Sequence, residues 1–326
     1  MYSRSGCHLC EEAERELHAL QETIPHKLTI IDIESDPALL RRFLPDIPVI
    51  EVGPYRLKAP FTRAELQMTL GAAADRLAQL ERLDAAAYRK SATLAAHITR
   101  ADRISYWISR HYLFVLNLFL FLYVGLPFLA PVFKVIGWDV PASLVYRIYR
   151  PLCHQWAFRS WFLFGEQAYY PHAAAGLSDV MSFEEATGIT DANDPSRYQA
   201  RLFEGTPRLG YKVALCQRDV AIWGAMLLFG LVYALTGRRL PALHWMLWLF
   251  LGIAPAALDG LSQLISQIPG NFLSPYLPYR ESTPLLRTVT GFLFGWMTAW
   301  MVFPTLEETM SESRRVLAKK FAVLRS

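Results

Sequence analysis

Two cysteines near the amino end of the chain stand at a spacing that permits thiol–disulfide chemistry. Cys7 and Cys10 form a Cys-x-x-Cys pair with His8 and Leu9 between them. A helical pattern follows at once, and its apolar positions are Ala13, Leu17 and Leu20. The unpaired N–H groups and the dipole of a helix N-terminus stabilise a thiolate, and Arg4 can add positive charge. We therefore predict that Cys7 attacks a disulfide and that Cys10, one helical turn later, resolves the mixed disulfide.

The elements around this pair have the order that is typical of a thioredoxin-like α/β fold. An apolar alternating run predicts a strand over Leu28–Ile33, and a second strand, entered by a proline, is predicted over Ile47–Ile50. Short helices are predicted after Asp36 and over Arg63–Leu70. Such a fold would place the Cys-x-x-Cys pair at the amino end of its first helix.

Residues 1–72 resemble the glutaredoxin-like family of thioredoxin-fold domains. The likeness rests on Tyr2-Ser3, Cys7, Cys10, Asp32-Ile33-Glu34 and Ile47-Pro48-Val49. It implies a cis peptide bond before Pro48, and it makes Arg4, Ile47 and Pro48 candidates for substrate binding. It also implies protein or low-molecular-weight thiols and disulfides as partners, with no cofactor for the redox domain. The glycine pair that follows the proline strand in many glutaredoxins is missing, which argues against glutathione.

A Cys-x-x-Cys pair also occurs as half of a zinc site. Such a site requires a second pair of ligands nearby, and His18 and His26 are the candidates that this part of the chain offers. We favour redox chemistry for the pair and keep a metal-binding role as the alternative.

The composition separates a charged amino-terminal part from a remainder with long apolar runs. Hydrophobic residues make up 53% of the 326 residues, which excludes a disordered chain. The net charge is +4 and no long block of lysine and arginine occurs, so we expect no nucleic-acid partner. Between the two parts, residues 73–110 predict an amphipathic helical connector, and the leucines on its apolar face are Leu77, Leu80, Leu83 and Leu94.

Four apolar runs are long enough to cross the roughly 30 Å hydrocarbon core of a bilayer. They are Tyr112–Phe133, Val220–Leu235, Leu243–Leu258 and Leu285–Phe303. We therefore predict an all-α polytopic membrane domain over residues 111–306, in contact with the lipid bilayer. A long outer loop over residues 134–219 and a basic tail over residues 307–326 complete the predicted organisation.

Basic residues and the chemistry of the head together predict an orientation. Lysines and arginines precede the first span, occupy the loop between the second and third spans, and follow the fourth; examples are Arg103, Arg110, Arg238, Arg239, Arg314 and Arg315. The positive-inside bias places these groups in the cytoplasm. A thiol head without an apolar export signal also suits a reducing cytosol. We predict a prokaryotic inner-membrane protein with cytoplasmic N- and C-termini.

Under that topology, three polar stretches reach the outer face of the membrane. They are Cys153–Ser160, Cys216–Asp219 and Asp259–Arg287. A Cys-His-Gln with Arg-Ser soon after, a cysteine entering a span, an Asp-Gly-x-x-Gln and an Arg-Glu-Ser together resemble DUF2085, a prokaryotic membrane family of unknown function, over residues 112–303. Asp219 stands where that family often has a second cysteine. The resemblance implies the motif and the membrane domain, and it assigns no reaction.

Three chemistries fit these stretches. The first is a zinc site, with Cys153, His154, Cys216 and Asp219 as candidate ligands. The second is a disulfide between Cys153 and Cys216. The third is an anion site, because arginine forks bind phosphate and carboxylate; its candidate residues are Gln155, Arg159, Arg218, Asp259, Gln263, Arg280, Glu281 and Arg287. Ion pairing that only satisfies buried charges is the structural alternative.

The leading functional prediction is a membrane-tethered thiol–disulfide oxidoreductase that uses Cys7 and Cys10. The alternative is a zinc-binding membrane enzyme or carrier whose redox head is regulatory. Because the two cysteine pairs fall on opposite faces and the four runs contain no cysteine, we expect no direct exchange between them.

Overall fold

The computed structural model describes residues 1–83, 97–268, 270, 273 and 275–325. The chain forms two compact units. The first unit comprises Met1–His111 together with Glu308–Ser326, and the second comprises Tyr112–Glu307.

The first unit contains the thioredoxin-like α/β elements. In chain order they are β1 (Tyr2–Ser3), α1 (His8–Leu20), β2 (Ile31–Asp32), a 3-10 turn (Ile33–Ser35), α2 (Pro37–Phe43), β3 (Val49–Val52), β4 (Tyr55–Lys58) and α3 (Arg63–Leu83). The sheet has the strand order β2-β1-β3-β4, with β1 parallel to β2 and antiparallel to β3, which is antiparallel to β4. This arrangement confirms the predicted fold class of the head.

Two apolar clusters hold the helices of the head on its sheet. Ile50 packs with residues of α1 and α3, including Leu17 and Leu66. Its neighbour Val49 belongs to a second cluster, which contains Phe43 of α2. Because successive side chains of a strand point to opposite faces, β3 fixes α1 on one face of the sheet and α2 on the other.

The strand predicted over Leu28–Ile33 is shorter in the structure and is limited to β2. The side chain of Asp32 accepts a hydrogen bond from the backbone N–H of Glu34 at 2.9 Å, and the Ser35 hydroxyl donates to the Asp32 carbonyl at 2.6 Å. These local bonds turn the chain into the 3-10 segment because aspartate side chains compete for backbone donors.

The helix predicted over Arg63–Leu70 continues as α3 to Leu83. This helix contains Leu77 and Leu80 of the predicted connector, and the next described helix, α4, spans Arg100–Gly125. The predicted contribution of Leu94 lies outside the described residues.

The predicted basic tail is the end of a 42-residue helix, Pro284–Arg325. In the first unit, Arg315 and Lys319 of this helix lie 3.4 Å and 3.2 Å from the carboxylate of Glu51 on β3. Arg314 lies 3.2 Å from Asp36. The end of the helix is therefore an integral part of the unit that contains the head.

The second unit contains the membrane helices and a polar segment between the first two of them. After α4 come α5 (Leu129–Val135), α6 (Asp139–Tyr149), β5 (Ser160–Leu163), α7 (Phe183–Thr187), α8 (Tyr198–Leu202), β6 (Gly205–Thr206), β7 (Gly210–Cys216), α9 (Gln217–Leu235), α10 (Trp245–Leu247), a π-helical segment (Trp248–Ile253), α11 (Ala254–Ser266) and α12 (Pro284–Arg325). Among the described residues, four helical stretches are long and apolar enough to cross a membrane; they are Arg100–Val135, Gln217–Leu235, Trp245–Ser266 and Pro284–Leu324. The predicted four-span helical domain is confirmed.

The segment between the first and second spans adds β-structure to this helical domain. Strands β5, β7 and β6 form an antiparallel sheet with β7 in the centre. Its core is aromatic and includes Phe158, Phe162 and Phe183. Strand β5 pairs with β7 across about fifty residues of chain, whereas β6 and β7 form a local hairpin. An all-α description of this region is therefore incomplete, and the pairing of β5 could not be predicted from local spacing.

Helices α9 and α12 approach each other closely at two glycines of α12. A Cβ atom at Gly291 would stand 2.8 Å from the carbonyl oxygen of Arg218, and one at Gly295 would collide with the carbonyl group of Ile222. Small residues permit such backbone contact between membrane helices.

Candidate functional site

The first candidate site is the Cys-x-x-Cys pair at the amino end of α1. Cys7 is the N-cap residue of α1, and its Sγ accepts the backbone N–H of Cys10 at 3.3 Å. The two cysteines form a disulfide. Cys10 is only 2% exposed, whereas Cys7 is partly exposed and the intervening Leu9 is 53% exposed. An incoming sulfur can therefore reach Cys7 more easily than Cys10.

A groove of about 260 Å³ runs beside this pair. Leu9 and Glu12 of α1 line one side, and Pro48 and Pro60 line another. The peptide bonds before Pro48 and Pro60 are both cis, so the cis bond that the family resemblance implies at Pro48 is present. The side chain of Ile47 packs against the cluster that contains Val49.

The surroundings of Arg4 weaken the role predicted for its positive charge beside Cys7. The guanidinium of Arg4 lies 3.8 Å from the Glu34 carboxylate, and both side chains are substantially exposed. Arg4 therefore has an acidic partner that competes for its charge. Glu16 also lines the groove and lies 3.3 Å from Arg63.

The histidines proposed as partners for a zinc site have other contacts. His18 lies 3.1 Å from the side-chain oxygen of Gln21, and His26 lies 2.7 Å from the carbonyl of Ile24. Within the described part of the chain, neither forms a metal-binding group with Cys7 and Cys10. The geometry therefore supports the redox interpretation of this pair.

The second candidate site brings together three side chains from the polar stretches of the second unit. The ligand atoms of Cys153, Cys216 and Asp219 all lie within 4.8 Å of one another. Cys216 caps α9, and its Sγ accepts the backbone N–H of Asp219 at 3.5 Å. The Sγ of Cys153 accepts the N–H of Cys216 at 3.4 Å. Both cysteines are free thiols, so the alternative disulfide between them is not formed in the structure.

His154, the fourth candidate ligand, is not part of this group. Its ring instead contacts Trp156, with 5.0 Å between the ring centroids. Cys153 is 7% exposed, and it packs in an apolar cluster with Ala214 and Leu215. The hydrogen bond with Cys216, burial and the charge of Asp219 all raise the pKa of the Cys153 thiol.

Two buried carboxylates organise the remaining polar residues. Asp259 on α11 accepts hydrogen bonds from Arg218, from Arg280 at 2.9 Å and from the hydroxyl of Ser282 at 2.7 Å. It is the only acidic group in that set, and both arginines make ion pairs with it. Buried charges that are paired and hydrogen-bonded in this way avoid the cost of isolated burial.

Glu281 is the second buried carboxylate. Arg159 donates to both of its oxygens, at 2.7 Å and 2.9 Å, and Gln263 and Arg287 donate to one of them. Burial alone would raise the pKa of Glu281, but Arg159 and Arg287 hold it below the ordinary value of 4.5. The bidentate fork of Arg159 is the geometry that gives strong charge-assisted bonds.

Seven of the eight predicted anion-site residues therefore lie in one polar network around Asp259 and Glu281. Gln155 is the exception, because its amide group donates to the carbonyls of Tyr146 and Ala214 at 3.0 Å and 2.9 Å. It ties α6 to β7. Since the arginines of the network already have carboxylate partners, the geometry favours ion pairing within the domain over an open anion site.

Comparisons with known proteins find a similar family for each of two regions of the chain. Residues 1–71 match the model of the glutaredoxin-like domain (DUF836), and residues 208–301 match the predicted membrane protein family DUF2085. The chain therefore contains one region similar to each of these two families. An uncharacterized protein of Methanocaldococcus jannaschii is 25% identical over 210 residues, which are 62% of this chain and 96% of that relative. No solved structure matches the chain.

The first match includes both cysteines of the head, whereas the second includes only part of the candidate metal group. The glutaredoxin-like match includes Cys7 and Cys10, so the chain has a thiol redox head on a multi-pass membrane protein. The DUF2085 match includes Cys216 and Asp219 but begins after Cys153. The third member of the trio therefore comes from the segment that precedes the match.

Sequence reasoning missed several residues that extend the Glu281 network. Arg197 lies 4.0 Å from Glu281 and donates to the hydroxyl of Tyr279 at 2.6 Å, and Tyr279 donates to Asp191 at 3.1 Å. His172, which its sequence context gave no reason to single out, contacts Asp191 at 3.2 Å. Tyr279 is 82 positions from Arg197 and 88 positions from Asp191, so no local spacing could have joined these two groups.

Lys212 on β7 is a further buried charge that the sequence did not single out. It is 1% exposed, and its ammonium donates to the carbonyls of Gln155 and Arg201 at 2.8 Å and 2.6 Å. Burial lowers the pKa of Lys212 to about 7. The sequence did contain a signal for it, because Lys212 lies within the apolar run Gly210–Cys216. A lysine is rarely buried, so its place in such a run indicates a special environment.

Proposed function

We propose that the protein is a membrane-tethered thiol–disulfide oxidoreductase in which Cys7 is the nucleophile and Cys10 the resolving thiol. The observation that supports this most directly is the disulfide at the start of α1, with Cys7 partly exposed and Cys10 buried. A thiolate released at Cys7 would sit at a helix N-terminus, where N–H groups and the helix dipole stabilise negative charge.

The proposed reaction proceeds in two exchange steps. The Cys7 thiolate attacks one sulfur of a substrate disulfide, so that a bond from Cys7 to the substrate forms and the other substrate sulfur leaves as a thiolate. The Cys10 thiolate then attacks Cys7 Sγ and releases the second substrate sulfur. The substrate disulfide gains two electrons and the Cys7–Cys10 dithiol loses them. Two thiols, or one dithiol, of a protein or of small molecules then reduce the Cys7–Cys10 disulfide and are themselves joined in a disulfide.

The groove beside the pair suggests an extended peptide as substrate. Pro48 and Phe61 give it an apolar surface. Its charged lining residues are Glu12, Glu16 and Arg63, and because Arg63 pairs with Glu16 the lining has one net negative charge. Like charges disfavour one another in such a confined site. Disulfide peptides with lysine flanks should therefore react faster than peptides of the same length with glutamate flanks.

We further propose that the head faces the cytoplasm of a prokaryotic cell and that the protein lies in the inner membrane. An even number of spans places both termini on one side, and the first unit contains both the head and the end of α12. Basic residues cluster at the corresponding helix ends, as the positive-inside bias requires. A membrane-impermeant maleimide added to spheroplasts should leave the reduced head thiols unlabelled, and labelling would contradict this orientation.

The assignment of roles is tested with the full-length protein in detergent. After reduction, the protein receives a disulfide peptide, and mass spectrometry locates each sulfur. Cys10→Ser should accumulate a mixed disulfide at Cys7, because the resolving thiol is absent. Cys7→Ser should accumulate none. A mixed disulfide at Cys10 in the Cys7→Ser protein, formed as fast as in the first variant, would overturn the proposed roles.

A further inference from the structure

Cys153, Cys216 and Asp219 form a site of a chemistry different from that of the head. Two soft sulfur donors and one carboxylate converge from two stretches of chain that are 63 residues apart. We infer that these three side chains bind a thiophilic divalent cation of the zinc class and leave its fourth coordination position open. This inference is independent of the redox function proposed for the head.

The spacing of the donors suits a tetrahedral ion. Two sulfurs at the usual distance of about 2.3 Å from zinc stand about 3.8 Å apart. The three donor atoms already lie within 4.8 Å of one another, so a small rotation of the side chains would bring them to bonding distance. Thiolate ligands with one carboxylate select zinc over magnesium or calcium, which prefer oxygen donors.

The surroundings of both sulfurs also suit metal binding. Each sulfur accepts a backbone N–H, from Cys216 and from Asp219 respectively. Outer hydrogen bonds of this kind orient metal ligands and are a normal part of metal sites. Ala214 and Val220 pack in one apolar cluster with both cysteines. Cys153 is buried, whereas Cys216 and Asp219 are partly exposed, so an exogenous ligand can approach from their side.

The charge of the loaded site is close to balanced. A divalent ion with two thiolates and one carboxylate has one net negative charge. Arg287 interacts electrostatically with Cys216 and offsets part of the remaining charge. Binding would replace the two thiol protons with metal–sulfur bonds and release both protons, with no change in oxidation state.

The open fourth position follows from the placement of His154. Its ring contacts Trp156, and among the described residues no fourth metal-binding side chain joins the group. Zinc sites with three protein ligands keep a position for water or substrate, whereas closed sites with four are structural. The geometry thus points to a site that presents its metal to an exogenous ligand.

Cobalt(II) titration tests this inference directly. The protein is the full-length chain with Cys7→Ser and Cys10→Ser, so that only Cys153 and Cys216 supply sulfur. We expect one equivalent of Co²⁺ to produce a sulfur-to-cobalt charge-transfer band and the visible bands of a tetrahedral ion, both abolished by excess zinc. Imidazole added afterwards should change the visible bands, because it can enter the open position.

Variants separate the ligands from their neighbours. Cys153→Ser or Cys216→Ser should abolish the charge-transfer band, and Asp219→Asn should weaken cobalt affinity at least about tenfold. His154→Ala is the matched control and should bind as the parent does. A parent protein without the band, a band that survives Cys153→Ser, or a band lost in His154→Ala would each overturn the inference.

A second measurement guards against variants that fail to fold. In the parent protein, zinc should protect Cys153 and Cys216 from alkylation, and a chelator should restore their reactivity. Equal alkylation with and without zinc would contradict metal binding, as would the isolation of a Cys153–Cys216 disulfide from protein purified under reducing conditions.

Discussion

The two cysteine sites begin with the same local structure and differ in one side chain. Cys7 caps α1 and Cys216 caps α9, and each sulfur accepts the backbone N–H of the residue three positions later. In the head that residue is Cys10, whereas in the membrane domain it is Asp219. Cys-x-x-Cys places a second sulfur within bonding distance, and Cys-x-x-Asp places a carboxylate there.

This difference explains why the two sites favour different chemistry. The head closes its disulfide within one helical turn. The membrane site obtains its second sulfur from Cys153, on a distant stretch of chain, and retains both thiols. A carboxylate cannot join a disulfide, but it can ligate a cation. Similar helix caps therefore serve the redox chemistry proposed for the head and the metal donor set proposed for the other region.

The largest expected effect is the loss of exchange when the head loses its nucleophile. Cys7→Ser should reduce multiple-turnover reduction of a disulfide peptide by more than about a thousandfold, because a hydroxyl cannot replace the attacking thiolate. The exposed Ser5→Ala variant is the control and should retain the parent rate. Turnover that persists in Cys7→Ser would move the redox site away from the head.

The next effect concerns stability rather than chemistry. Glu281→Gln should lower the free energy of unfolding by about 3–5 kcal/mol at neutral pH, because it leaves the buried Arg159 and Arg287 without their carboxylate. Unfolding in detergent, followed by circular dichroism, measures the difference. Glu166→Gln breaks an exposed pair with Arg208 and should cost less than about 1 kcal/mol.

Acid should reduce the effect of Glu281→Gln. Folding lowers the pKa of Glu281 below 4.5 through its arginine partners, so its stabilising contribution is complete above that value. The contribution is lost as the pH falls through the lowered pKa. The difference in the free energy of unfolding between the parent and Glu281→Gln should therefore be constant from pH 7 to about 5. It should decrease in stronger acid. A difference that grew in acid would contradict the ion-pair explanation.

A substitution in the membrane domain sharpens the comparison between the two caps. Asp219→Cys converts the second site into a Cys-x-x-Cys. We expect a more intense charge-transfer band with cobalt, because a third thiolate replaces the carboxylate. Oxidation should then join Cys216 to the introduced cysteine and release the metal. If the variant shows neither a more intense cobalt charge-transfer band nor this disulfide, the residue three positions after the cap cysteine does not decide between metal binding and disulfide formation.

The smallest expected effect is that of Arg4. Because its guanidinium already lies near Glu34 and is exposed to solvent, Arg4→Ala should slow alkylation of reduced Cys7 by less than about fivefold. Rates of iodoacetamide reaction at low salt measure this effect. A much larger loss would mean that Arg4 acts on the sulfur directly, as its position in the sequence suggests.

Local signals in the sequence predicted the three helices of the head and two of its four strands, but not β4. The cysteine pair before an amphipathic pattern predicted α1, and Pro48 before an apolar run predicted β3. The strand predicted over Leu28–Ile33 extends too far at its carboxyl end, because Asp32 caps a 3-10 turn that begins at Ile33. Nothing in the structure explains why residues 28–30 lie outside the strand. The spans were predictable from the length of the apolar runs alone. Some of the helices continue beyond those runs into polar residues, as Pro284–Arg325 does beyond Phe303.

The membrane site was only partly predictable, because sequence adjacency and spatial adjacency differ there. His154 follows Cys153 directly, yet its ring lies against Trp156, whereas Asp219 joins the sulfurs through the cap of α9. The pairing of Arg159 with Glu281 spans 122 positions. Such contacts depend on how distant elements pack, and no local spacing specifies them.

The glycines of α12 have a consequence for the metal-binding trio. Gly295 leaves no room for a side chain against the backbone of Ile222, so even a methyl group there would force α9 to shift. The first turn of α9 positions Cys216 and Asp219. Cys153 belongs to another stretch of chain, so a shift of α9 would change the distance from the Cys153 sulfur to Cys216 and Asp219. The geometry of the proposed metal site therefore depends on a glycine that supplies none of its three donor atoms.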